Sequence, residues 1–214
     1  MARLHLFDLD GTLLHGTSAP VEISRQLGLE AEAEAETVAL DREIGAQRIG
    51  PPEYARRVHA LWEGLTPEHV TAAFEGAPWL TGIRETWAEI RARGEYCAVV
   101  SLSPSFFVER LTGWGAHAAY GSRFPAVPFT EPVDPAGGPS AAAKLKIADR
   151  LREQFGVSRA DCLAYGDSFS DVELYGAVPV SVAINADQHV AALATHSYAG
   201  RDLWEAYESV RHAR

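Results

Sequence analysis

The sequence predicts an α/β protein with a doubly wound parallel sheet and an inserted α-helical cap. Short apolar runs alternate with amphipathic helical patterns through most of the chain, which is typical of a parallel sheet with helices on both faces. Between residues 16 and 78 this alternation stops, and the patterns become helical only. A chain of 214 residues has room for one such domain and a modest insertion.

The strands of the core are predicted from short apolar runs that end at acids, glycines or hydroxyl residues. These runs are 4–9, 96–101, 117–120, 162–165 and 179–184, and helical patterns at 82–93, 105–111, 141–155 and 171–175 separate most of them. We therefore predict a Rossmann-like core from residues 1–15 and 79–214. In such sheets the ligand lies beyond the carboxyl ends of the strands.

The inserted segment, residues 16–78, is predicted to form four helices, at 21–27, 30–44, 52–62 and 67–74. Because it follows the first strand, it would begin beside the carboxyl end of the sheet and cover a site there as a cap. A second irregular stretch, 124–138, is rich in proline and glycine and is predicted to be a loop.

Charge and hydropathy patterns exclude some classes of partner. The net charge is −10, and the absence of a long basic run argues against nucleic-acid binding. No apolar stretch approaches the 18 residues or so of a membrane span, and the N-terminal residues lack the apolar region of a secretory signal. These features predict a cytoplasmic protein with no membrane partner, and they leave the oligomeric state open.

Two pairs of aspartates follow two of the predicted strands. Asp8 and Asp10 come at the end of the first strand, and Asp167 and Asp171 follow the strand at 162–165. A carboxylate can act as a covalent nucleophile toward phosphorus, and a second acid can protonate the leaving oxygen. Closely spaced carboxylates repel unless a cation lies between them, and a hard ion such as Mg²⁺ suits oxygen ligands.

Two further residues occupy positions that suit phosphate binding. Ser101 ends a predicted strand with a hydroxyl, and Lys144 begins the helical pattern at 141–155. A lysine in such a place can neutralise a phosphoryl oxygen as a point charge. Each residue alone is equally typical of a helix cap or an exposed side chain.

The order of these residues resembles the haloacid dehalogenase-type phosphatase superfamily, and in particular its phosphoserine phosphatase-like subgroup with a helical cap. The resemblance extends over most of the chain. It depends on six residues in their expected structural contexts, namely Asp8, Asp10, Ser101, Lys144, Asp167 and Asp171.

The resemblance implies a role for each residue. Asp8 would attack phosphorus and form a phospho-aspartate, while Asp10 would protonate the leaving alkoxide and then activate the hydrolytic water. Asp8, the backbone carbonyl of Asp10 and Asp167 would hold Mg²⁺. Ser101 and Lys144 would bind the transferring phosphoryl group. Asp171 would complete the metal site by holding its waters, or would hold the lysine.

The sequence also departs from the phosphoserine phosphatase pattern. Thr17 stands where those enzymes have a glutamate that holds the substrate ammonium group, and Leu102-Ser103 replace two glycines. Ser170 replaces an asparagine. Arg57 aligns with the arginine that grips the substrate carboxylate, so Arg57 and Thr17 are predicted to be substrate-binding residues. Without an acid at the position of Thr17, phosphoserine is expected to be a poor substrate compared with amine-free monoesters.

These observations predict a magnesium-dependent phosphomonoesterase that acts on a small phosphorylated metabolite. Three alternatives remain open at this point. The chain could be a phosphoserine phosphatase proper, or a phosphotransferase or phosphomutase that uses the same phospho-aspartate. It could also be a signalling or binding module that carries a phospho-aspartate, although signalling receivers are shorter and place the modified aspartate in mid-chain.

Overall fold

A computed structural model of the protein describes residues 2–27, 30–134 and 141–213. In this part of the chain, strands form one sheet in the order β3-β2-β1-β4-β5-β6, and each neighbouring pair is parallel. The strands are β1 (Leu4–Phe7), β2 (Tyr96–Pro104), β3 (Ala118–Ser122), β4 (Cys162–Gly166), β5 (Val180–Ile184) and β6 (His196–Tyr198). The predicted doubly wound, Rossmann-like α/β fold is confirmed.

Helices connect the strands on both faces of the sheet. After the first helical region come α5 (Ile83–Ala92), α6 (Ser105–Val108), α7 (Ala141–Phe155), α8 (Val172–Tyr175), α9 (Gln188–Ala191) and α10 (Leu203–Glu208). β1 contributes alternate residues to the two apolar layers: Phe7 packs in the layer that includes Trp87 of α5, and Leu6 in the layer that includes Leu151 of α7. This alternation is the period of two of a strand that is buried on both faces.

Between β1 and α5 the described residues form four helices, and we call residues 19–76 the helical insertion. They are α1 (Ala19–Gln26), α2 (Glu30–Gly45), α3 (Pro51–Leu61) and α4 (Pro67–Gly76), within a few residues of the four predicted. Ser18 caps α1 by accepting a hydrogen bond from the amide of Val21. Trp62 is fully buried, and its indole nitrogen donates to Ser24 Oγ at 2.8 Å, which ties the end of α3 to α1. The division into core and cap stays a prediction.

The remaining differences from prediction are local. β6 and the short helices α9 and α10 were not predicted. β2 continues three residues beyond its predicted end, through a register shift between Val100 and Pro104. Residues 124–134 of the predicted loop contain neither helix nor strand, and 135–138 lie outside the described residues. Within the described ranges, no helix is both long and apolar enough to span a bilayer.

A buried polar network joins β1 to the start of β2. Glu95 accepts hydrogen bonds from His5 Nε2 at 3.0 Å and Arg3 Nε at 3.1 Å, and His5 Nδ1 lies 3.0 Å from the hydroxyl of Tyr165. Burial alone would raise the pKa of Glu95, but the hydrogen bonds from His5 and Arg3 outweigh burial and lower this pKa to about 2. Glu95 is therefore ionised in the folded protein far below its ordinary pKa.

Replacing this carboxylate is expected to weaken the fold in a pH-dependent way. Glu95→Gln should lower the free energy of unfolding at pH 7 by about 1–3 kcal/mol, because His5 and Arg3 lose a charged acceptor. The pKa of Glu95 is lower in the folded state than in the unfolded state. Its carboxylate therefore stabilises the fold above the unfolded pKa of about 4.3, and this stabilisation is lost as the pH falls toward 2.

Urea unfolding at pH 7 and pH 3 measures this difference. The exposed Glu75→Gln serves as the control and should change stability little at either pH. A Glu95→Gln protein as stable as the wild type at pH 7 would contradict the network's contribution.

Candidate active site

The loop after β1 places Asp8 at the carboxyl end of the sheet beside β4. The amide of Asp8 donates to the carbonyl of Tyr165 at 2.8 Å, which continues the parallel pairing one residue beyond Phe7. Lys144 reaches the same point from the first turn of α7, and its Nζ lies 2.7 Å from Asp8 Oδ1. Lys144 is 2% exposed, so this ion pair is almost completely withdrawn from water.

A tight turn after β4 brings Asp167 and Asp171 to the same lysine. Asp171 Oδ1 accepts from Lys144 Nζ at 2.8 Å, and Asp171 Oδ2 accepts from the amides of Asp167 and Ser168 at 3.3 and 3.2 Å. Gly166 is required here, since a Cβ atom on it would lie 2.4 Å from Asp171 Cγ. Both oxygens of Asp171 are thus engaged in holding the lysine and the turn.

The site carries more negative than positive charge. One oxygen from each of Asp8, Asp167 and Asp171 lies within 4.8 Å of the others, with one lysine among them. Burial raises the pKa of Asp8 to about 8, against the opposing effect of Lys144. Burial also raises the pKa of Asp167 well above its ordinary value, and the charges of Asp8 and Asp171 add to the effect. A bound cation would relieve this repulsion.

Asp10 is held between the end of β2 and the start of α1. Its Oδ1 accepts from the amide of Ala19 at 2.8 Å, and its Oδ2 accepts from Ser103 Oγ at 2.6 Å and Ser101 Oγ at 3.4 Å. Burial raises the pKa of Asp10, which favours a carboxyl group that keeps a proton to donate. One oxygen of Asp10 is therefore directed to the start of α1 and the other to the serines at the end of β2.

Ser103 and Ser170, at two of the positions where the sequence departs from the phosphoserine phosphatase pattern, both make contacts in this region. Ser103 makes the shorter hydrogen bond to Asp10, although only Ser101 was predicted to be a site residue. If the predicted strand had been continued to residue 103, its alternation would have placed both serines on one face. Ser101 is fully buried and also accepts from the amide of Ser103 at 3.0 Å. Ser170, one of the departures from the phosphoserine phosphatase pattern, accepts from Lys144 Nζ at 2.9 Å.

A cavity of about 1370 Å³ separates the ends of the strands from the helical insertion. On the side of the sheet, the cavity is lined by the predicted Asp8, Asp10 and Asp167 of the loops after β1 and β4, by Lys144 of α7 and by Ser103 of β2. The insertion contributes both apolar residues and charged or polar ones, and the latter include Glu22, Arg25, Asp41, Arg42, Arg48 and Tyr54. A molecule bound at Asp8 would therefore meet the insertion with the rest of its structure.

The structure separates the two residues predicted to bind substrate. Thr17 lines the cavity, where its hydroxyl donates to Glu22 Oε1 at 2.7 Å. Arg57 is not among the described residues that line the cavity; its guanidinium pairs with Glu43 at 2.9 Å on the outside of the insertion. The geometry thus gives no support for substrate binding by Arg57.

The prediction also missed two acids of the cavity wall, Glu22 and Asp41. Glu22 is 2% exposed and accepts two hydrogen bonds of 2.7 Å from Arg25. Both acids lie outside residues 13–21, the segment around Thr17, which contains no acid. An acid is therefore available to a bound molecule even though residue 17 is a threonine.

In this site a buried lysine pairs with a strand-end aspartate, and a second aspartate faces a cavity. An acidic turn follows the neighbouring strand. These features together are those of a phosphoryl-transfer enzyme. The family described as haloacid dehalogenase-like hydrolase matches residues 5–175. The chain belongs to this family, as the order of its motifs predicted, and it is a phosphatase that acts on phosphomonoesters.

Curated relatives include phosphatases of two substrate types. The chain is 25% identical over 211 residues to a phosphoserine phosphatase of Methanocaldococcus jannaschii, with 98% of each chain covered. It is 29% identical over 203 residues to a phosphoglycolate phosphatase of Halobacterium salinarum, covering 87% of this chain and 86% of the relative.

Solved structures confirm the fold. A substrate-bound phosphoserine phosphatase complex superposes with a TM-score of 0.81 at 23% identity, over 98% of this chain and 99% of that one. A structure described as a phospho-aspartyl intermediate analogue of phosphoserine phosphatase matches with the same score, identity and coverage.

Proposed function

We propose that the chain hydrolyses the phosphate ester of a small metabolite through a phospho-aspartate on Asp8. The observation that carries this proposal is the opposite placement of the two loop aspartates. Asp8 faces Lys144, whereas Asp10 faces the cavity wall formed by Ser103 and the start of α1. One carboxyl is thus placed to attack phosphorus and the other to serve the leaving group.

The chain's own residues account for the proton and bond changes. An Asp8 oxygen forms a bond to phosphorus while the ester P–O bond breaks, and Lys144 neutralises charge on Asp8 and on a phosphoryl oxygen. The proton of Asp10 passes to the leaving alkoxide. Asp10 then accepts a proton from the water that attacks the phospho-aspartate, which returns Asp8 as a carboxylate and releases inorganic phosphate.

Mg²⁺ fits the site because of its surplus negative charge. Asp8 and Asp167 offer hard oxygen donors close to each other, the backbone carbonyl of Asp10 would be a third, and few protein ligands suit an ion that keeps several waters. When bound, Mg²⁺ supplies positive charge to the phosphoryl oxygens. Because both Asp171 oxygens already accept hydrogen bonds, its proposed contribution is to hold Lys144 and the turn instead of binding the ion directly.

Release of phosphate from a single substrate is the expected outcome that tests the proposal. The purified protein, given Mg²⁺ and a panel of sugar, hydroxy-acid, amino-alcohol and nucleoside monophosphates one at a time, should release stoichiometric inorganic phosphate from at least one of them. Hydrolysis in H₂¹⁸O should place one labelled oxygen in the phosphate, which mass spectrometry measures. Turnover that requires a second alcohol as acceptor would instead indicate a phosphotransferase or phosphomutase.

A phosphoserine phosphatase proper is the second candidate, and full-length similarity to the enzyme of M. jannaschii favours it. Thr17 in place of glutamate argues against it, while the acids Glu22 and Asp41 in the cavity wall remove the reason to expect an amine-free substrate. Phosphoserine and phosphoglycolate therefore both belong in the panel. A cytoplasmic location, where small phosphorylated metabolites are found, is part of the same proposal.

A further inference from the structure

Asp41 is a cavity-lining acid whose charge is not balanced. Its Oδ2 accepts from Ser18 Oγ and its Oδ1 from the Tyr54 hydroxyl, both at 2.5 Å. No basic side chain in the described ranges forms an ion pair with it. The two neutral hydroxyls occupy about half of the four acceptor positions of a carboxylate and leave its negative charge uncompensated.

The position of Asp41 on α2 directs it to the cavity. Residues 34, 38, 41, 42, 44 and 45 of this helix line the cavity, and 34, 38, 41 and 45 among them have the three- and four-residue spacing of one helical face. Burial raises the pKa of Asp41 to about 6, so the carboxyl is largely ionised at pH 8. A partly buried carboxylate without a cation is unfavourable, and a ligand that brings a cation would remove that cost.

Asp41 also lies on the leaving-group side of the reacting phosphate. Two consecutive residues at the start of α1 connect it to the chemistry: Ser18 binds Asp41, and the next amide, that of Ala19, binds Asp10. The charge of Asp10 contributes to the raised pKa of Asp41, which agrees with this proximity. Since Asp10 serves the leaving oxygen, the group attached to that oxygen extends toward Asp41.

The other acid of the insertion is already neutralised. Glu22 receives both of its short bonds from the guanidinium of Arg25 and a third from Thr17. Arg25 in turn pairs with Glu34 at 2.7 Å. This chain of partners leaves Glu22 without the free charge that distinguishes Asp41.

We propose that Asp41 binds an ammonium group on the leaving group, so that phosphate monoesters of small amino alcohols are the preferred substrates. The inference rests on the proposed phosphomonoesterase function and replaces the expectation of an amine-free leaving group. An ammonium group supplies donors for the two free acceptor positions and the positive charge that Ser18 and Tyr54 lack. Charge-assisted hydrogen bonds of this kind are stronger than neutral ones.

Two nearly isosteric substrates test the proposal, 2-aminoethyl phosphate and n-propyl phosphate. At pH 8 with saturating Mg²⁺, the wild type should show a kcat/KM about 10-fold or more higher for the aminoethyl ester. Asp41→Asn should abolish this preference, because KM should rise far more for the aminoethyl ester than for the propyl ester. Glu36→Gln, an equal charge change on the exposed face of α2, should keep the wild-type preference.

Tyr54→Phe provides a second variant that retains the charge of Asp41. It should preserve the preference for the aminoethyl ester, and thermal unfolding of each variant checks that the fold is intact. Equal kcat/KM for the two esters in the wild type would overturn the proposal. So would an equal preference for 2-hydroxyethyl phosphate, or an equal loss of both substrates in Asp41→Asn.

Different experimental outcomes would refute the proposed hydrolase function and the assignment of Asp41. If Asp8→Asn hydrolysed propyl phosphate as fast as the wild type, the phospho-aspartate mechanism would be wrong. Hydrolysis that depends on Asp8 but shows no preference for the amine would overturn only the assignment of Asp41.

Discussion

Asp8→Asn is expected to lower kcat for phosphate release by roughly 10⁴-fold or more, on the scale of removing a covalent nucleophile. An amide of the same shape keeps the geometry of the loop but lacks the anionic oxygen that forms the bond to phosphorus. Asp10 and Lys144 remain in place, so any residual turnover measures what positioning and charge achieve without the nucleophile. Initial rates of phosphate release with saturating Mg²⁺ give the comparison.

Loss of activity in this variant is not expected to reflect loss of fold. Burial raises the pKa of Asp8, which means that the ionised carboxylate is unfavourable in the metal-free folded state. Asp8→Asn should therefore unfold at a temperature no lower than that of the wild type without Mg²⁺. Asp161→Asn, at the amino end of β4 and so away from the site, is the matched control and should keep normal kcat.

A chemical trap gives an independent measurement of the same claim. Beryllofluoride with Mg²⁺ should bind the wild type at Asp8 as an analogue of the phospho-aspartate and protect it against thermal unfolding, and it should not protect Asp8→Asn. Turnover by Asp8→Asn within 10-fold of the wild type, or equal protection of both proteins, would refute a nucleophilic Asp8.

The core and its acidic residues could be predicted because each signal is local. β1 and β4 are buried on both faces, so they appear in the sequence as short, mainly apolar runs, with His5 the polar residue of β1, and the runs stop just before Asp8 and Asp167. The carboxyl ends of adjacent parallel strands necessarily lie together. β6 could not be predicted in this way, since its three residues are half-buried or exposed and pair only with β5.

The cavity wall could not be predicted because it depends on how separate helices pack. α2 has an almost uniform Glu-Ala pattern in its first turns, and nothing in that pattern distinguishes Asp41 from the exposed Glu36. The distinction arises only when Ser18 and Tyr54, from α1 and α3, approach the same side of α2. Arg57 depends on packing in the same way: its alignment predicts a substrate ligand, and the structure pairs it with Glu43 of α2, so its role in substrate binding stays a prediction.

Removal of Mg²⁺ is expected to abolish activity. Asp167→Asn should distinguish the effect of the ion on the stability of the fold from its effect on catalysis. The charges of Asp8 and Asp171 oppose ionisation of Asp167, so without metal the neutral asparagine should unfold at a temperature equal to or above that of the wild type. With millimolar Mg²⁺ the order of the two unfolding temperatures should reverse, because Mg²⁺ bound to the folded state stabilises only the protein that still has the Asp167 carboxylate as a metal ligand.

Thermal unfolding with and without Mg²⁺, together with phosphate release after treatment with a chelator, measures both effects. Added Mg²⁺ should restore the chelated wild type fully, and Asp167→Asn should need a much higher Mg²⁺ concentration for half-maximal rate. Ca²⁺ should support far less turnover because its looser coordination does not fix the phosphoryl group. Glu75→Gln, exposed on α4, should respond to Mg²⁺ as the wild type does. Full activity in excess chelator would refute a magnesium site, and Mg²⁺ stabilisation undiminished in Asp167→Asn would exclude Asp167 as a ligand.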